Sequence, residues 1–444
     1  MTPSTWDHGT YALWHGTVPT STILDRSGPQ DLWVRGEGSW LIDASGHRAL
    51  DARAGVGNMM LGYGRTDVVE AMSRQARELP YVCMVRWELP APVVVELAQA
   101  LTGIAPSGLD RVRFCHTGGA AVESAILMAR SYHRNNGRPA KRLVVGLRDS
   151  YHGSPMAAMA ASGQRMMHWL FGPMPEGFCH LPEPIGEPTE DSGAELVAQL
   201  DALGPERIAA MILEPVKGRN GQPLPDPYLR AAREYCTKND ILLIFDEAFT
   251  GFGRMGEMFA ADISGVSPDI MCLAKGITAG YSALGAVLAT DRIYQAFGTG
   301  STVFAHASTT DGHPVACAAA LATIRAYASE DLVAHGRVLG ELLRDRLSDL
   351  LKGTPTFGGV RAVGAYVAID LVDDDGNPLS MQDRSHLESA CRRQGLLIHY
   401  TPDTVVLMPP LTMSTGEAEF AAQTFASVVS ALRPTVVSQD LSDH

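Results

Sequence analysis

Two stretches of this chain decide its fold: ILLIFDEAFTGFGR at 241–254 and DIMCLAKGITAGYSALGAV at 269–287. In the first, five apolar residues lead directly into Asp246 and Glu247, and in the second an apolar run ends at Lys275. Uninterrupted apolar runs of this length are typical of strands that are covered on both faces of a parallel sheet. Such sheets present their ligand site at the carboxyl ends of the strands, so these charged side chains should project into one crevice.

The lysine and the first carboxylate suggest a specific chemistry. Lys275 lies 29 residues after Asp246. A buried amine facing a carboxylate is the pairing that pyridoxal phosphate (PLP) chemistry requires. The amine forms a Schiff base with the cofactor aldehyde, and the carboxylate keeps the pyridine nitrogen protonated so that the ring accepts electrons. The pair therefore predicts a PLP site with Lys275 and Asp246 as its catalytic residues.

Composition excludes several other classes of protein. The chain has 444 residues, 45% of them hydrophobic, a net charge of −13 and a pI near 5.5, which argues against binding to nucleic acid or to an anionic membrane. The seven cysteines form no C-x-x-C pair, so we expect neither a disulfide framework nor a metal site. The N-terminus does not resemble a secretory signal and no apolar run is long enough to cross a bilayer, so a cytoplasmic protein is expected.

Strand-like and helical patterns alternate between residues 61 and 325, which predicts a large α/β domain with a mostly parallel sheet. The clearest strands are expected at 111–115, 142–147, 208–213, 241–245 and 270–273, and helices at 119–135 and 226–238. Outside this domain we expect a hairpin within 33–51, a helix at 330–351, strands within 357–371 and 396–408, and a helix at 415–432. Residues 1–60 and 326–444 should therefore form a smaller α+β domain built from both termini.

A candidate phosphate-binding loop lies in FCHTGGAAVESAILMARSY (114–132), which has the pattern of a strand, a small-residue turn and a helix. Gly118, Gly119 and Ala120 would place free backbone N–H groups at the start of that helix, where the helix dipole favours a phosphate. Turns of this kind also occur without a ligand, so the stretch alone is weak evidence.

Three further motifs contain candidate residues, each with a plain structural explanation. In RDSYHGSPMA (148–157) the ring of Tyr151 is suited to stacking on a planar cofactor, although it suits an ordinary half-buried aromatic as well. In MILEPVKGRNG (211–221) Glu214 stands at a strand end and is interpreted as a supporting carboxylate. In HASTTDGHPVACAAA (306–320) Thr309 precedes an alanine-rich helix, where it would bind a phosphate oxygen or simply cap the helix.

The order of these motifs along the chain resembles the class III aminotransferases, which are fold-type I PLP enzymes and include ornithine, 4-aminobutyrate and diaminopelargonate aminotransferases. The family pattern is a small-residue phosphate loop, Tyr-His-Gly, Glu-Pro, Asp-Glu-x-x-x-Gly-x-Gly-Arg, a Lys-Gly turn, and His-x-x-Thr before Gly-x-Pro. All six parts occur here in that order, and the resemblance covers about residues 30–430. It implies an α/β fold with a mostly parallel seven-stranded sheet, PLP as cofactor, and transfer of an amino group from an amine or amino acid.

The same resemblance implies roles for individual residues. Lys275 would be the Schiff-base lysine and proton shuttle, and Asp246 would pair with the pyridine nitrogen. The remaining cofactor contacts would be Tyr151 on one ring face, Ala248 on the other, and Gly118, Gly119 and Ala120 at the phosphate. Thr309 would reach the phosphate of a neighbouring subunit, because the family builds its sites across a homodimer interface. Family members often carry a hydroxyl residue where this chain has Gly119, and many carry a proline at Ala283.

Substrate recognition departs from the family member that looks nearest, diaminopelargonate aminotransferase. Its early tyrosine aligns with Thr17, its pocket tryptophan with Val56, and its carboxylate-binding arginine with His399, ten residues before Pro409. Histidine cannot form the bidentate fork of arginine and carries charge only in mild acid. A role in biotin synthesis is therefore not expected, and the substrate stays open.

Two other reactions use the same substrate carbanion. One is elimination, replacement or C–C bond formation on an amino acid such as S-adenosylmethionine, without transfer of nitrogen. The other is an aminomutase reaction, whose known enzymes also lack the carboxylate-binding arginine. A binding protein without catalysis would have little reason to retain Lys275 and Asp246 together.

Overall fold

The computed structural model describes residues 12–19, 32–85, 88–184, 191–298 and 302–432. In chain order the strands are β1 (Trp33–Glu37), β2 (Trp40–Asp43), β3 (Arg48–Asp51), β4 (Arg111–Cys115), β5 (Leu143–Leu147), β6 (Phe178–Leu181), β7 (Ile208–Leu213), β8 (Leu242–Asp246), β9 (Ile270–Leu273), β10 (Gly285–Ala289), β11 (Phe357–Val363), β12 (Tyr366–Leu371), β13 (Leu396–Leu397), β14 (His399–Tyr400) and β15 (Val405–Leu407).

The right-handed helices are α1 (Thr66–Glu78), α2 (Pro92–Ile104), α3 (Gly118–Asn135), α4 (Met156–Ala161), α5 (Arg165–Phe171), α6 (Asp191–Leu203), α7 (Asp226–Lys238), α8 (Ala260–Ser264), α9 (Asp291–Gln295), α10 (Pro314–Ser329), α11 (Leu332–Leu351), α12 (Met381–Arg393) and α13 (Thr415–Ala431). Short 3₁₀ turns occur at Pro205–Arg207 and Lys275–Ile277, and Ala54–Gly57 forms a turn with positive φ angles. Within the described ranges, no helix is long and apolar enough to cross a membrane.

A seven-stranded sheet in the order β4-β10-β9-β8-β7-β5-β6 forms the centre of the molecule. Strand β10 runs antiparallel to both of its neighbours, and the other six strands are parallel to one another. This confirms the predicted α/β class and the mostly parallel sheet of seven strands. Strand β8 begins one residue later than predicted and includes Asp246 as its last residue.

The apolar runs of the central strands are covered on both faces, and alternate residues supply two different cores. On one face Leu243 and Phe245 belong to a core that also contains Met271. On the other face Leu242 and Ile244 belong to a second core. The period of two in a strand explains this division, and the burial on both faces explains why the sequence shows continuous rather than alternating apolar residues.

Two four-stranded sheets accompany the central one, in the orders β1-β2-β3-β13 and β11-β12-β15-β14. The predicted hairpin within 33–51 is a three-stranded meander, and its third strand pairs in parallel with β13, so that Leu50 lies opposite Leu396. One hydrophobic core accordingly contains residues from near both ends of the chain, including Leu50, Leu343 and Phe425.

Candidate active site

The two catalytic candidates stand at the ends of neighbouring parallel strands. Asp246 closes β8 and lies opposite Cys272 of β9. Lys275 follows three residues later, in the turn that leaves β9. Because β8 and β9 are parallel, the amine and the carboxylate reach the same edge of the sheet.

Three other predicted site residues follow strands that end at that edge. Gly118 follows β4, Glu214 follows β7, and Tyr151 lies beyond the end of β5. All of these strands are parallel to β8, so the structure brings the carboxyl ends of five strands and their candidate residues to one side of the sheet. A crevice at the carboxyl ends of parallel strands is the usual ligand site of such a sheet.

The start of helix α3 has the features of a phosphate cradle. The side chain of Thr117 accepts a hydrogen bond from Ala120 N (3.1 Å), and Thr117 O accepts the first main-chain bond of the helix from Ala121 N (3.0 Å). The N–H groups of Gly118 and Gly119 precede that bond, have no partner among the residues that the structure describes, and can bind an anion. Of the three predicted phosphate amides, that of Ala120 is therefore already engaged by Thr117.

A close glycine contact explains why this loop carries Gly119. A Cβ built at position 119 would lie 2.5 Å from Pro155 Cδ and 3.6 Å from Gly153 Cα. A Cβ at position 153 would lie 2.7 Å from Gly119 Cα, and Gly153 has φ +127°. The phosphate loop therefore packs backbone to backbone against the loop that carries Tyr151, and a side chain at 119 would separate them.

Ala248 lies next to the phosphate loop and to the segment that leads into the lysine. A Cβ built on Gly118 would lie 3.2 Å from Ala248 Cβ and 3.1 Å from Ala274 Cβ. Small residues at these three positions let the phosphate loop pack closely against the strand ends.

Asp246 is held by two hydrogen bonds. Its Oδ2 accepts from His152 Nδ1 (2.9 Å) and its Oδ1 accepts from Ala248 N (3.1 Å). Burial opposes protonation of His152, but the hydrogen bond and the charge of Asp246 outweigh it and raise the pKa of His152. Nε2 of His152 is buried, and no hydrogen-bond partner for it occurs in the described ranges. His152 was not among the predicted site residues, although the Tyr-His-Gly motif contains it.

Lys275 is partly buried, and its Nζ lies 4.6 Å from the centre of the Phe249 ring. Burial lowers the pKa of Lys275, with a further contribution from Arg254, while Asp246 and Glu214 oppose the shift. A lysine with a lowered pKa is a better nucleophile because more of it is neutral at a given pH. Phe249 was not predicted, because an aromatic residue three positions after Asp246 carries no distinctive sequence signal.

Glu214 supports the aromatic loop through its backbone. Its Oε2 accepts from Tyr151 N (3.3 Å) and its Oε1 accepts from Gly218 N (3.1 Å). Burial raises the pKa of Glu214, with His152 opposing and Asp246 adding to the shift. The ring of Tyr151 itself stays 47% exposed at the crevice edge, as a residue that stacks on a ligand requires.

The three predicted substrate residues differ in their burial and in their nearness to Lys275. Thr17 is exposed, and its hydroxyl donates locally to Gly16 O (2.6 Å). Val56 is 45% exposed within the positive-φ turn. His399 lies in β14, where burial, followed by the charges of Arg53 and Lys275, lowers its pKa to about 4. His399 therefore lies within electrostatic range of Lys275, whereas the contact described for Thr17 is local.

Thr309 is exposed and lies in the segment before helix α10. Its carbonyl oxygen accepts a hydrogen bond from Tyr81 Oη (2.7 Å). In the described ranges, no group of three or more His, Cys, Asp or Glu side chains is arranged to hold a metal ion.

These residues fit PLP. The two free amides of Gly118 and Gly119 suit its phosphate, the fixed carboxylate of Asp246 suits its pyridine nitrogen, and Lys275 supplies an amine of lowered pKa for its aldehyde. The fold and this set of residues together define a fold-type I PLP enzyme.

Comparison with known proteins identifies the family. Residues 26–429 match the family model "Aminotransferase class-III". The chain is 34% identical to a putrescine–pyruvate aminotransferase of Pseudomonas aeruginosa over 402 residues, which cover 87% of each chain. Among solved structures, an (S)-enantioselective omega-transaminase from Thermomicrobium roseum superposes with a TM-score of 0.89 at 35% identity, covering 94% of this chain and 96% of that one.

A PLP-bound amine transaminase from an uncultivated Pseudomonas species has a TM-score of 0.88 at 33% identity, covering 95% of this chain and 99% of the other. The chain belongs to the class III aminotransferases, which confirms the resemblance seen in the sequence. It is a PLP-dependent aminotransferase that acts on an amine or amino acid.

Proposed function

We propose that this enzyme moves an amino group from a primary amine or amino acid to a small keto acid, in the crevice between the ends of β4, β5, β7, β8 and β9. The observation that carries the proposal is the placement of Lys275 and Asp246 on adjacent parallel strand ends, facing the phosphate cradle. A relative whose name pairs putrescine with pyruvate supports an amine donor and a keto-acid acceptor.

Each residue has a distinct task in this proposal. Lys275 would hold the cofactor covalently and would carry a proton to and from the reacting carbon of the substrate. Asp246, fixed by His152, would stabilise a protonated pyridine nitrogen, and Gly118 and Gly119 would bind the phosphate. When bound, PLP supplies the electron sink for the substrate carbanion.

We also propose that the enzyme is a homodimer in which Thr309 of one subunit completes the phosphate site of the other. Large apolar side chains exposed on the surface support an interface between copies of the chain, because burying them in an interface is favourable. They include Met166 (72% exposed), Trp169 (82%), Val303 (60%) and Tyr294 (55%). A cavity of about 440 Å³ beside Ser308 has a largely apolar lining that includes Met84, Phe114 and Phe304.

We extend the proposal to the two domains of the chain and to the cellular compartment of the enzyme. One hydrophobic core combines Leu50 and Ala52 with residues between Leu339 and Val429, apart from the core of the central sheet. Together with the pairing of β13 with β3, this supports a large domain at 61–325 and a smaller one formed by 1–60 and 326–444. The cysteines of the described ranges are free thiols, most of them buried, as is usual in a reducing, cytoplasmic compartment.

One experiment tests the reaction. The PLP-loaded enzyme is mixed with single amines, amino acids and S-adenosylmethionine, and its absorption spectrum and products are followed together, with and without pyruvate. We expect the pyridoxamine form to accumulate with an accepted donor and to be converted back by pyruvate, with formation of alanine. Product formation without any pyridoxamine form would contradict amino transfer and favour elimination, replacement or aminomutase chemistry.

A second experiment tests the assignment of the lysine. Borohydride reduction of the PLP-loaded enzyme, followed by peptide mapping, should place the pyridoxyl label on Lys275. Label on another lysine would contradict the assignment. Sedimentation of the same preparation should show a dimer, and an active monomer would contradict the shared phosphate site.

A further inference from the structure

Arg53 is a partly buried cation whose hydrogen-bonding capacity is only partly used. It stands between strand β3 and the positive-φ turn, with its side chain 27% exposed. Its Nε is enclosed and has no hydrogen-bond partner in the described ranges. A guanidinium has five N–H donors in a fixed planar fork, so an enclosed and unpaired Nε is unfavourable unless a ligand binds it.

Two carboxylates lie near this guanidinium, and both are farther from it than a formed hydrogen bond allows. Asp51 Oδ1 is 3.5 Å from Nε of Arg53, and Glu388 Oε1 is 3.8 Å from Nη1. A charge-assisted hydrogen bond of this type measures about 2.7–2.9 Å, so neither distance is that of a formed bond. The two acids stabilise the position of Arg53 and leave its fork available.

Asp51 has other partners that account for its burial. Its Oδ2 accepts from Gly55 N (2.8 Å) and from Tyr63 Oη (2.7 Å). The bond to Gly55 fastens the turn at Ala54–Gly57, where Val56 has φ 62°. A β-branched residue in this region is a rare and strained conformation, and such strain clusters at functional sites.

The strained turn packs against the active site. A Cβ on Gly57 would overlap the ring of Phe249, and that ring lies 4.6 Å from Nζ of Lys275. His399 lies within electrostatic range of both Arg53 and Lys275. Arg53 therefore borders the part of the crevice near His399, the position at which the family resemblance implies an arginine in related enzymes.

Histidine and arginine offer different chemistry at this border. A neutral imidazole supplies one N–H donor and no charge, whereas the planar fork of Arg53 matches the two oxygens of a carboxylate. In a small 2-keto acid the carboxylate is attached directly to the carbon that receives the amino group. A cation at the edge of the crevice that contains Lys275 is therefore suited to orient such an acceptor.

We propose that Arg53 binds the carboxylate of the amino acceptor and thereby makes a 2-keto acid a better acceptor than an uncharged aldehyde. This inference rests on the proposed function and names a specificity residue for it. Glu388 competes weakly for the same guanidinium, so its removal should strengthen binding of the acceptor.

The test compares two acceptors of similar size, pyruvate and butanal, with a fixed amine donor that the wild-type enzyme accepts. Arg53→Gln should lower kcat/KM for pyruvate by about 10- to 100-fold, through KM, as expected for loss of a charged hydrogen bond. Its kcat/KM for butanal should stay within about two-fold. Glu388→Gln should lower KM for pyruvate by about two- to five-fold, because the pair it breaks is weak.

Arg48→Gln is the matched control. Arg48 is an exposed arginine five positions away whose guanidinium lies over the ring of Trp40, so its loss should alter neither acceptor. Equal losses for pyruvate and butanal in Arg53→Gln, or a KM for pyruvate that Glu388→Gln leaves unchanged or raises, would overturn the assignment of Arg53. Failure of the wild-type enzyme to aminate either acceptor from any donor would instead overturn the proposed function.

Discussion

His152 donates from Nδ1 to Oδ2 of Asp246 across 2.9 Å, and both residues are almost fully buried, with 2% and 6% of their surface exposed. The bond does more than satisfy a buried histidine. Together with the amide of Ala248 it fixes both oxygens of the carboxylate at the end of β8. A fixed, charged acceptor needs little reorganisation when it pairs with a protonated ring nitrogen.

The first prediction concerns this positioning by His152. His152→Asn keeps a side-chain N–H that can reach the carboxylate, whereas His152→Leu removes it. We expect the leucine variant to lose about 10- to 100-fold in kcat, the range for a charged hydrogen bond, and the asparagine variant to recover part of that loss. The pH dependence of the absorption of bound PLP gives a second measurement, since it should shift only if Asp246 is disturbed. Equal losses in the two variants, with an unshifted absorption profile, would assign His152 a purely structural role.

The second prediction concerns Asp246 itself. Asp246→Asn should retain measurable PLP binding through the phosphate cradle and lose turnover by about 100-fold or more, because an amide cannot stabilise a protonated pyridine. PLP content measured on the purified variant and single-turnover rates with one amine separate the two effects. Turnover near that of the wild-type enzyme would contradict the role of Asp246.

The third prediction concerns the contact between the phosphate loop and the aromatic loop. Gly153→Ala places a methyl group 2.7 Å from Gly119 Cα at a backbone φ of +127°, so it should destabilise the fold by about 2 to 4 kcal/mol. Gly119→Ala meets the ring of Pro155 at 2.5 Å but at a backbone φ that alanine adopts without strain, so we expect a smaller loss of stability together with weaker PLP binding.

Gly103→Ala provides the control for these glycine variants. Gly103 lies in helix α2 with open space around the added methyl group, so this change should be neutral or stabilise the fold by up to about 1 kcal/mol. Chemical denaturation of the three cofactor-free proteins and titration with PLP give the comparison. A Gly153→Ala protein as stable as the Gly103→Ala protein would refute the close backbone contact.

The sequence predicts the elements of this site better than the contacts between them. Apolar runs that end in Asp246 and Lys275 indicate buried parallel strands, and the geometry of such a sheet then brings both side chains to one edge. The contact of Gly119 with Gly153 could not be predicted, because it depends on how two distant loops pack. The same holds for the ring of Phe249 beside Lys275.

The neighbouring acids Asp246 and Glu247 show, within one motif, what cannot be predicted from the sequence. Both follow the same apolar run, yet Glu247 is fully buried and turns away from the crevice. It accepts hydrogen bonds from Thr250 Oγ1 (2.6 Å), Ala260 N (2.9 Å) and Ala261 N (2.7 Å), which fasten the following loop to helix α8. Adjacent residues in a strand point to opposite sides, but which side meets the ligand is decided by tertiary packing.

The last prediction follows from the burial of His399. Its pKa of about 4 lies below the value of about 6.5 for an unfolded histidine, so between these values the unfolded chain binds a proton that the folded chain does not. The stability that the neutral ring contributes is complete above about pH 6.5 and is lost as the pH falls toward 4, by at most about 1.4 kcal/mol per pH unit. His399→Gln removes this pH-dependent contribution, so its free energy of unfolding should fall less between pH 7 and pH 5 than that of the wild-type enzyme.

His133, whose pKa burial also lowers to about 4, remains in both proteins and should keep part of the acid sensitivity. Denaturant titrations at pH 7, 6 and 5 measure the free energy of unfolding of both proteins. If it falls equally with pH in both, His399 titrates like an exposed histidine despite the nearby charges of Arg53 and Lys275.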